Sequence, residues 1–186
     1  MRNLEVRFLF LLFIFIGFLY SSSLQNISGG PPVNTVETAG DILQVALPVA
    51  ALSSTYILDD REGRSEFWKS YLSSISLTYL LKYTIDKERP NGHDSNSFPS
   101  GHTTAAFSGA MFIQKKYGFK YGIPSLLLAS FVGYSRVYAN KHFWEDVAVG
   151  ASIAIIGSMV FTKKYNRSIS FYKSRDDIYL AVGMSF

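Results

Sequence analysis

The sequence predicts an all-α fold: an antiparallel helical bundle of about five core helices, an N-terminal signal or anchor helix, and a short strand-like C-terminal tail. Three observations carry this prediction. Apolar residues recur at near-helical spacing through residues 41–162, and short polar or Gly/Pro-containing breaks cut them into segments of helical length. The 186 residues are the size of one domain, with 48% hydrophobic and 16% aromatic residues. A mean hydropathy of +0.13 is too apolar for a disordered chain and low for a protein made wholly of lipid-facing spans. Cysteine is absent, which removes disulfides, thiolate metal sites and cysteine nucleophiles.

The elements follow in chain order. Arg2 and Arg7 flank the start of an apolar run from Phe8 to Tyr20, and Ser21-Ser22-Ser23 close it. Residues 1–23 fit either a cleaved signal peptide or a retained membrane anchor. Residues 24–40, with Gly29-Gly30-Pro31-Pro32, read as a linker. Asp41–Leu58 predicts the first core helix, kinked at Pro48. Asp59–Arg64 reads as a charged turn, and Ser65 as the cap of a second helix ending near Tyr83. Arg89-Pro90-Asn91-Gly92 stops that segment, and His93–Phe98 is a polar loop. A third helix runs from Ser100 to near Lys116, and Tyr117–Tyr121 connects it to a fourth. The fourth carries Pro124 early and ends near Tyr138; Asn140–Phe143 is a loop before a last helix, Glu145–Phe161. The tail, Lys163–Phe186, alternates as strands do, which fits an edge hairpin; one or two strands cannot close a barrel.

Short connections reverse the direction of successive helices, so the helix ends near Tyr83, Ser100, Tyr138 and Glu145 meet at one end of the bundle. Three polar clusters sit at those ends: Lys82 seven residues before Arg89-Pro90; Pro99-Ser100-Gly101-His102; and Ser135-Arg136, five residues, His142, then Asp146. Most of the 18 basic residues fall toward the opposite end. If the bundle spans a membrane, the polar clusters then face away from the cytoplasm.

Two histidines, one carboxylate and three cations suit holding a phosphate and passing it through a histidine. Asp146 lies about one helical turn after His142, where a carboxylate can accept the imidazole N–H and leave the other nitrogen free to attack phosphorus. His102 lies in the first turn of a helix capped by Ser100, whose free N–H groups and dipole favour an anion. Ser100 and Gly101 supply such N–H groups. Lys82, Arg89 and Arg136 form a cationic clamp, with Lys82 and Arg89 two helical turns apart and able to share a face. Taken singly, each has a plainer reading: a capped helix start, a solvated helix end, a satisfied core histidine. Lys87, Glu88, Lys141 and Glu145 read as solvated charges, Trp144 as packing, and His93 and Asp94 as loop residues. The three histidines and the scattered carboxylates make no dense metal-ligand cluster, and no basic-aromatic motif for nucleic acid is present.

The three clusters resemble the signature motifs of the type 2 phosphatidic acid phosphatase family, K-x6-RP, PSGH and SR-x5-H-x3-D, and match them at every defined position. The resemblance covers roughly residues 40–162. It implies a metal-independent, cofactor-free phosphatase in which His142 forms a phosphohistidine and His102 protonates the leaving group. It implies a lipid phosphate, pyrophosphate or small phosphomonoester as substrate. The export-type N-terminal segment and the basic residues at the far end lead to the expectation of a bacterial cytoplasmic membrane with the site facing the periplasm, or of a periplasmic protein. Soluble acid phosphatases and vanadium haloperoxidases share the motifs. A phosphate- or lipid-binding membrane protein without activity is the non-enzymatic alternative, and the intact His102, His142 and Asp146 weigh against it.

Overall fold

The computed structural model describes residues 34–165 and the backbone of two strands in the tail. The segment 1–23 expected as signal or anchor lies outside the described residues. Five helices are present among those described: α1 (Thr35–Ile57), α2 (Arg61–Thr84), α3 (Gly101–Tyr117), α4 (Phe119–Tyr138) and α5 (Trp144–Phe161). The predicted all-α bundle is therefore the observed one, with β1 (Arg167–Lys173) and β2 (Ile178–Met184) pairing antiparallel as a hairpin.

The boundaries differ from the sequence expectation where a cap decides them. α1 starts at Thr35, not Asp41, because Asn34 accepts a hydrogen bond from the Glu37 N–H; residues 35–40, expected in the linker, are helical. α2 starts at Arg61 because the buried Asp60 carboxylate accepts from Gly63 N at 2.8 Å. Ser65 therefore lies inside the helix, and the charged turn shrinks to its first residues. The expected Tyr117–Tyr121 connection reduces to Gly118, whose φ of +89° suits glycine alone at little cost. Ser100 caps α3, as the sequence predicts.

α3 is the central helix and packs against the other four. Small residues let its neighbours approach closely. A Cβ at Gly109 would meet the backbone of Leu47 and Pro48 at 2.6 Å, so α1 crosses α3 at the turn that carries Pro48. A Cβ at Gly150 would meet the Ser100 carbonyl oxygen at 2.6 Å, which presses α5 against the start of α3. Gly157 likewise leaves no room beside Ser74 on α2.

The interior holds much hydroxyl chemistry: Ser70, Ser74, Thr78, Thr103, Thr104, Ser108 and Ser158 are all buried. Thr78 donates to Thr104, which in turn reaches the Ser100 and Gly150 carbonyls. The exterior carries Val45, Val49, Leu72, Leu80, Leu127, Ile156 and Val160, all exposed. Tyr79, Tyr83, Tyr134, Tyr138 and Trp144 ring one end, and Tyr56, Phe119 and Tyr121 the other. Small polar residues between helices, aliphatic residues outside and aromatic residues at both rims are the distribution that lipid favours. α1 and α5, with 23 and 18 residues, are long and apolar enough to cross a bilayer.

The close approach at Gly150 yields a direct test. Gly150→Ala forces α5 away from the α3 N-terminus and destabilises the fold by about 1–3 kcal/mol, the usual cost of overpacking. A lower thermal midpoint in detergent, together with reduced activity, is the expected result; an unchanged midpoint contradicts the tight contact.

Candidate active site

The ends of α2, α3, α4 and α5 and the start of α1 meet at one end of the bundle, where the structure gathers all three polar clusters. Asp146, in the first turn of α5, is fully buried and heavily bonded. Its Oδ2 accepts from Ser97 Oγ at 2.5 Å and from Phe143 N at 2.9 Å. Its Oδ1 accepts from Lys87 Nζ at 2.6 Å, and its backbone carbonyl accepts from Ser100 N at 3.0 Å.

His142 is 4% exposed in the loop before α5. Its Nδ1 lies 3.8 Å from Asp146 Oδ2, and that buried nitrogen has no hydrogen-bond partner. The sequence expectation of a direct imidazole–carboxylate bond is therefore not met in this arrangement. The reason is competition: Ser97 and the Phe143 amide already occupy the oxygen that His142 faces. Burial, and then the charges of Lys82 and Arg89, push the His142 imidazole down to about 4. It is neutral at physiological pH, with a lone pair available for attack.

His102, in the first turn of α3, pairs through Nε2 with Asp41 Oδ1 at 3.0 Å. The same oxygen accepts from Arg136 Nη1 at 2.6 Å. Arg136 is wholly buried, and its Nη2 reaches the Glu37 carbonyl at 2.7 Å. Asp41 thus joins the histidine of the second cluster to the arginine of the third. It lies at the first-helix start assigned from the sequence, but no spacing rule links position 41 to 102 or 136, so sequence reasoning missed it.

The α3 N-terminus is built for an anion. Ser100 takes the Thr103 N–H on its side chain and the Thr104 N–H on its carbonyl, which leaves the Gly101 and His102 amides at the open end. A Cβ at Gly101 would meet nothing within 4 Å, so the protein interior does not require glycine there.

Lys82 and Arg89 arrive differently from the expected shared helix face. α2 stops at Thr84, and a loop brings Arg89 back. Lys87 and Ser95–Ser97 pair as short extended segments, with Lys87 N donating to Ser95 O at 3.0 Å and Ser97 N to Lys87 O at 2.9 Å. Arg89 Nε donates to Asp94 Oδ1 at 2.7 Å, and Lys82 Nζ to the Asn96 carbonyl at 2.6 Å. The loop between the first and second clusters therefore holds both cations in place.

Several charges read from the sequence as solvated are engaged. Lys87 bridges Asp146 and Glu145, and Lys141 pairs with Glu37. Trp144, expected as packing, is 60% exposed at the start of α5. Ser97, which the sequence left in an anonymous loop, is buried on Asp146. No group of three or more His, Asp or Glu side chains arranged to hold a metal occurs among the described residues.

A family model described as the PAP2 superfamily matches residues 65–170. Lipid A 1-phosphatase of Porphyromonas gingivalis is 37% identical over 106 residues, which are 51% of this chain and 24% of that protein. Lipid A 4'-phosphatase of Helicobacter pylori is 30% identical over 176 residues, which are 89% of this chain and 85% of that protein. The chain thus spans about a quarter of the first relative and most of the second. The crystal structure of Aquifex aeolicus LpxE aligns with a TM-score of 0.60 at 26% identity, covering 74% of this chain and 89% of that one. With the three clusters gathered at one end of an all-α bundle, the family model matched over residues 65–170 and a 30% identical relative matched over most of both chains, the chain belongs to the PAP2 superfamily.

Proposed function

We propose that this protein is a lipid phosphate phosphatase that removes a phosphate from a lipid A-type saccharolipid through a phosphohistidine on His142. The observation that carries the reaction is the buried, neutral His142 beside Lys82, Arg89 and the anchored carboxylate of Asp146. The substrate class is supported by the lipid A phosphatases among the relatives, one of them matched over most of its length. The apolar exterior and the two candidate spans support a site reached from a bilayer.

The steps follow from the groups at hand. Lys82, Arg89 and the Gly101 and His102 amides bind the phosphoryl oxygens; Arg136, held by Asp41, supports the same end. The His142 Nε2 lone pair attacks phosphorus while the ester P–O bond breaks, and the leaving oxygen takes a proton from His102. The positive charge that develops on the imidazole is met by Asp146 across the present 3.8 Å, a gap that a small rotation closes. Water then gives a proton to His102 and attacks phosphorus, the P–N bond breaks, and its electron pair returns to His142. These steps use no metal.

The experiment is hydrolysis of purified lipid A by detergent-solubilised protein in excess chelator, followed by mass spectrometry for loss of the 1- or 4'-phosphate. Phosphatidic acid and undecaprenyl diphosphate serve as competing substrates. Wild type dephosphorylates lipid A, labels transiently with ³²P, and His142→Ala does neither. Turnover by His142→Ala sinks the nucleophile assignment, and preference for another lipid sinks the substrate.

The depressed His142 value gives a pH prediction. Burial, and then the charges of Lys82 and Arg89, disfavour the imidazolium, so His142 stays unprotonated until the pH falls through about 4. The acid limb of kcat/KM, corrected for substrate ionisation, should fall in that region, and loss of the His102 proton that the leaving group needs gives a separate alkaline limb. An acid limb near the ordinary histidine value of about 6.5 contradicts this environment.

We also place the active-site end on the periplasmic side. Among the described residues, Arg61, Arg64, Lys69, Lys115, Lys116, Lys120, Lys163 and Lys164 lie toward the opposite end, and only Lys82, Lys87, Arg89, Arg136 and Lys141 lie toward the active-site end. Reporter fusions within 91–96 should read periplasmic, and fusions at Tyr117–Gly118 cytoplasmic. A cytoplasmic reading at 91–96 overturns the orientation.

A further inference from the structure

Lys87 is two residues before Arg89 inside the first cluster, at a position that the K-x6-RP pattern leaves undefined. Its surroundings are not those of a surface lysine. The ammonium lies 2.6 Å from Asp146 Oδ1 and 2.9 Å from Glu145 Oε1, with the Phe143 ring centroid at 4.7 Å and the Phe98 ring centroid at 5.8 Å. Its backbone is pinned on both sides by Ser95 and Ser97, the residue that also donates to Asp146. Lys87 is therefore placed as firmly as the residues it touches. Burial works against its charge, but the hydrogen bonds to Asp146 and Glu145 outweigh that and hold the ammonium above the usual lysine range. It is a permanent positive charge on the carboxylate that faces His142.

We propose that Lys87 is a positioning residue whose ammonium, shared with Asp146, sets how tightly His142 holds a proton or a phosphoryl group. The inference rests on the phosphatase reading and deepens it. An Asp146 neutralised by Lys87 pulls less on the His142 N–H, so the imidazole is less electron-rich. A phosphorylated His142 is then a better leaving group when water attacks, the P–N bond breaks and the electron pair returns to Nε2. The other charges facing this assembly are Lys82 from the end of α2, Arg89 from the loop, and Glu145 from α5. From α3 and α4, His102 and Arg136 turn instead to Asp41. Lys87 is thus the one cation in direct contact with Asp146 among the described residues. Removing it leaves the Asp146 charge with only the neutral donors Ser97 and the Phe143 amide, which raises the proton affinity of His142 and lengthens the life of the phosphoenzyme.

The test uses full-length Lys87→Gln, Lys87→Met and Lys87→Arg proteins in detergent, with ³²P-labelled lipid A as the probe. Lys87→Gln keeps a hydrogen-bonding side chain without the charge and serves where Lys87→Met does not fold. The expected result for the neutral variants is an acid limb of kcat/KM moved up by about one unit. Rapid quench should also show several-fold more phosphoenzyme at steady state, with Lys87→Arg returning both toward wild type. A purely structural lysine would lower the thermal midpoint without moving the acid limb. The inference is overturned if folded Lys87→Gln shows a wild-type acid limb and phosphoenzyme level, or if Lys87→Arg behaves as Lys87→Gln. Absence of His142-dependent label in wild type would instead overturn the phosphatase reading itself, a distinct outcome.

Discussion

The site depends on one carboxylate. Asp146 is removed from water, and an ionised carboxylate there is tolerable only when it is well paired. Three donors meet that demand: the Lys87 ammonium, the Ser97 hydroxyl and the Phe143 amide. Lys87 and Ser97 come from the loop after α2 and Phe143 from just before α5, so the electrostatic requirement of one side chain ties that loop to the start of α5. The Asp146 carbonyl adds the Ser100 amide, which brings in α3. Loss of any partner leaves a buried charge or donor unsatisfied, at a cost on the order of 1–3 kcal/mol or more. The same saturation keeps Asp146 from bonding His142 in the arrangement seen.

A second buried charge cluster stands at the far end. Lys116, 3% exposed, bonds Glu66 at 2.8 Å and lies 3.5 Å from Asp60, which caps α2. Glu66 also accepts from Lys163 N, while the Lys116 carbonyl accepts from Tyr165 N at 2.8 Å. Such a cluster contributes little net stability, because desolvation offsets the attraction. Its geometric effect is clear: it joins α2, α3 and the chain leaving α5. Between the two polar ends, close contacts through Gly109, Gly150 and Gly157 bring the helices together around a core that also buries Leu43, Leu47, Phe67 and Phe112. That is an economical way to pack helices whose outer faces are already apolar.

The site was legible wherever its chemistry obeys a local spacing. His142 and Asp146 are four residues apart, Ser100 and His102 share a helix start, and the motif cations declare themselves by residue type. Asp41, Lys87 and Ser97 were not legible. Asp41 acts on residues 61 and 95 positions away, and Ser97 reaches 49 positions along the chain. No periodicity records a contact of that range. Lys87 and Glu145 looked like solvated charges because a sequence shows a charge but not what faces it. The same limit moved the helix starts: that Asn34 and Asp60 cap α1 and α2, ahead of the expected start at Asp41 and the expected cap Ser65, follows only once the chain around them is placed.

Sequence alone determined the all-α class, the number of core helices and the end of the bundle where the three clusters meet. Helical periodicity and short breakers are local properties, and antiparallel alternation follows from short connections. Tertiary structure decided how the clusters are wired. It set Asp146 between Lys87, Ser97 and the Phe143 amide, left His142 Nδ1 3.8 Å away and unpartnered, and gave Arg136 and His102 a common carboxylate in Asp41. The physical reason is that hydrogen bonds and desolvation act across space, and only the packed bundle brings these residues together.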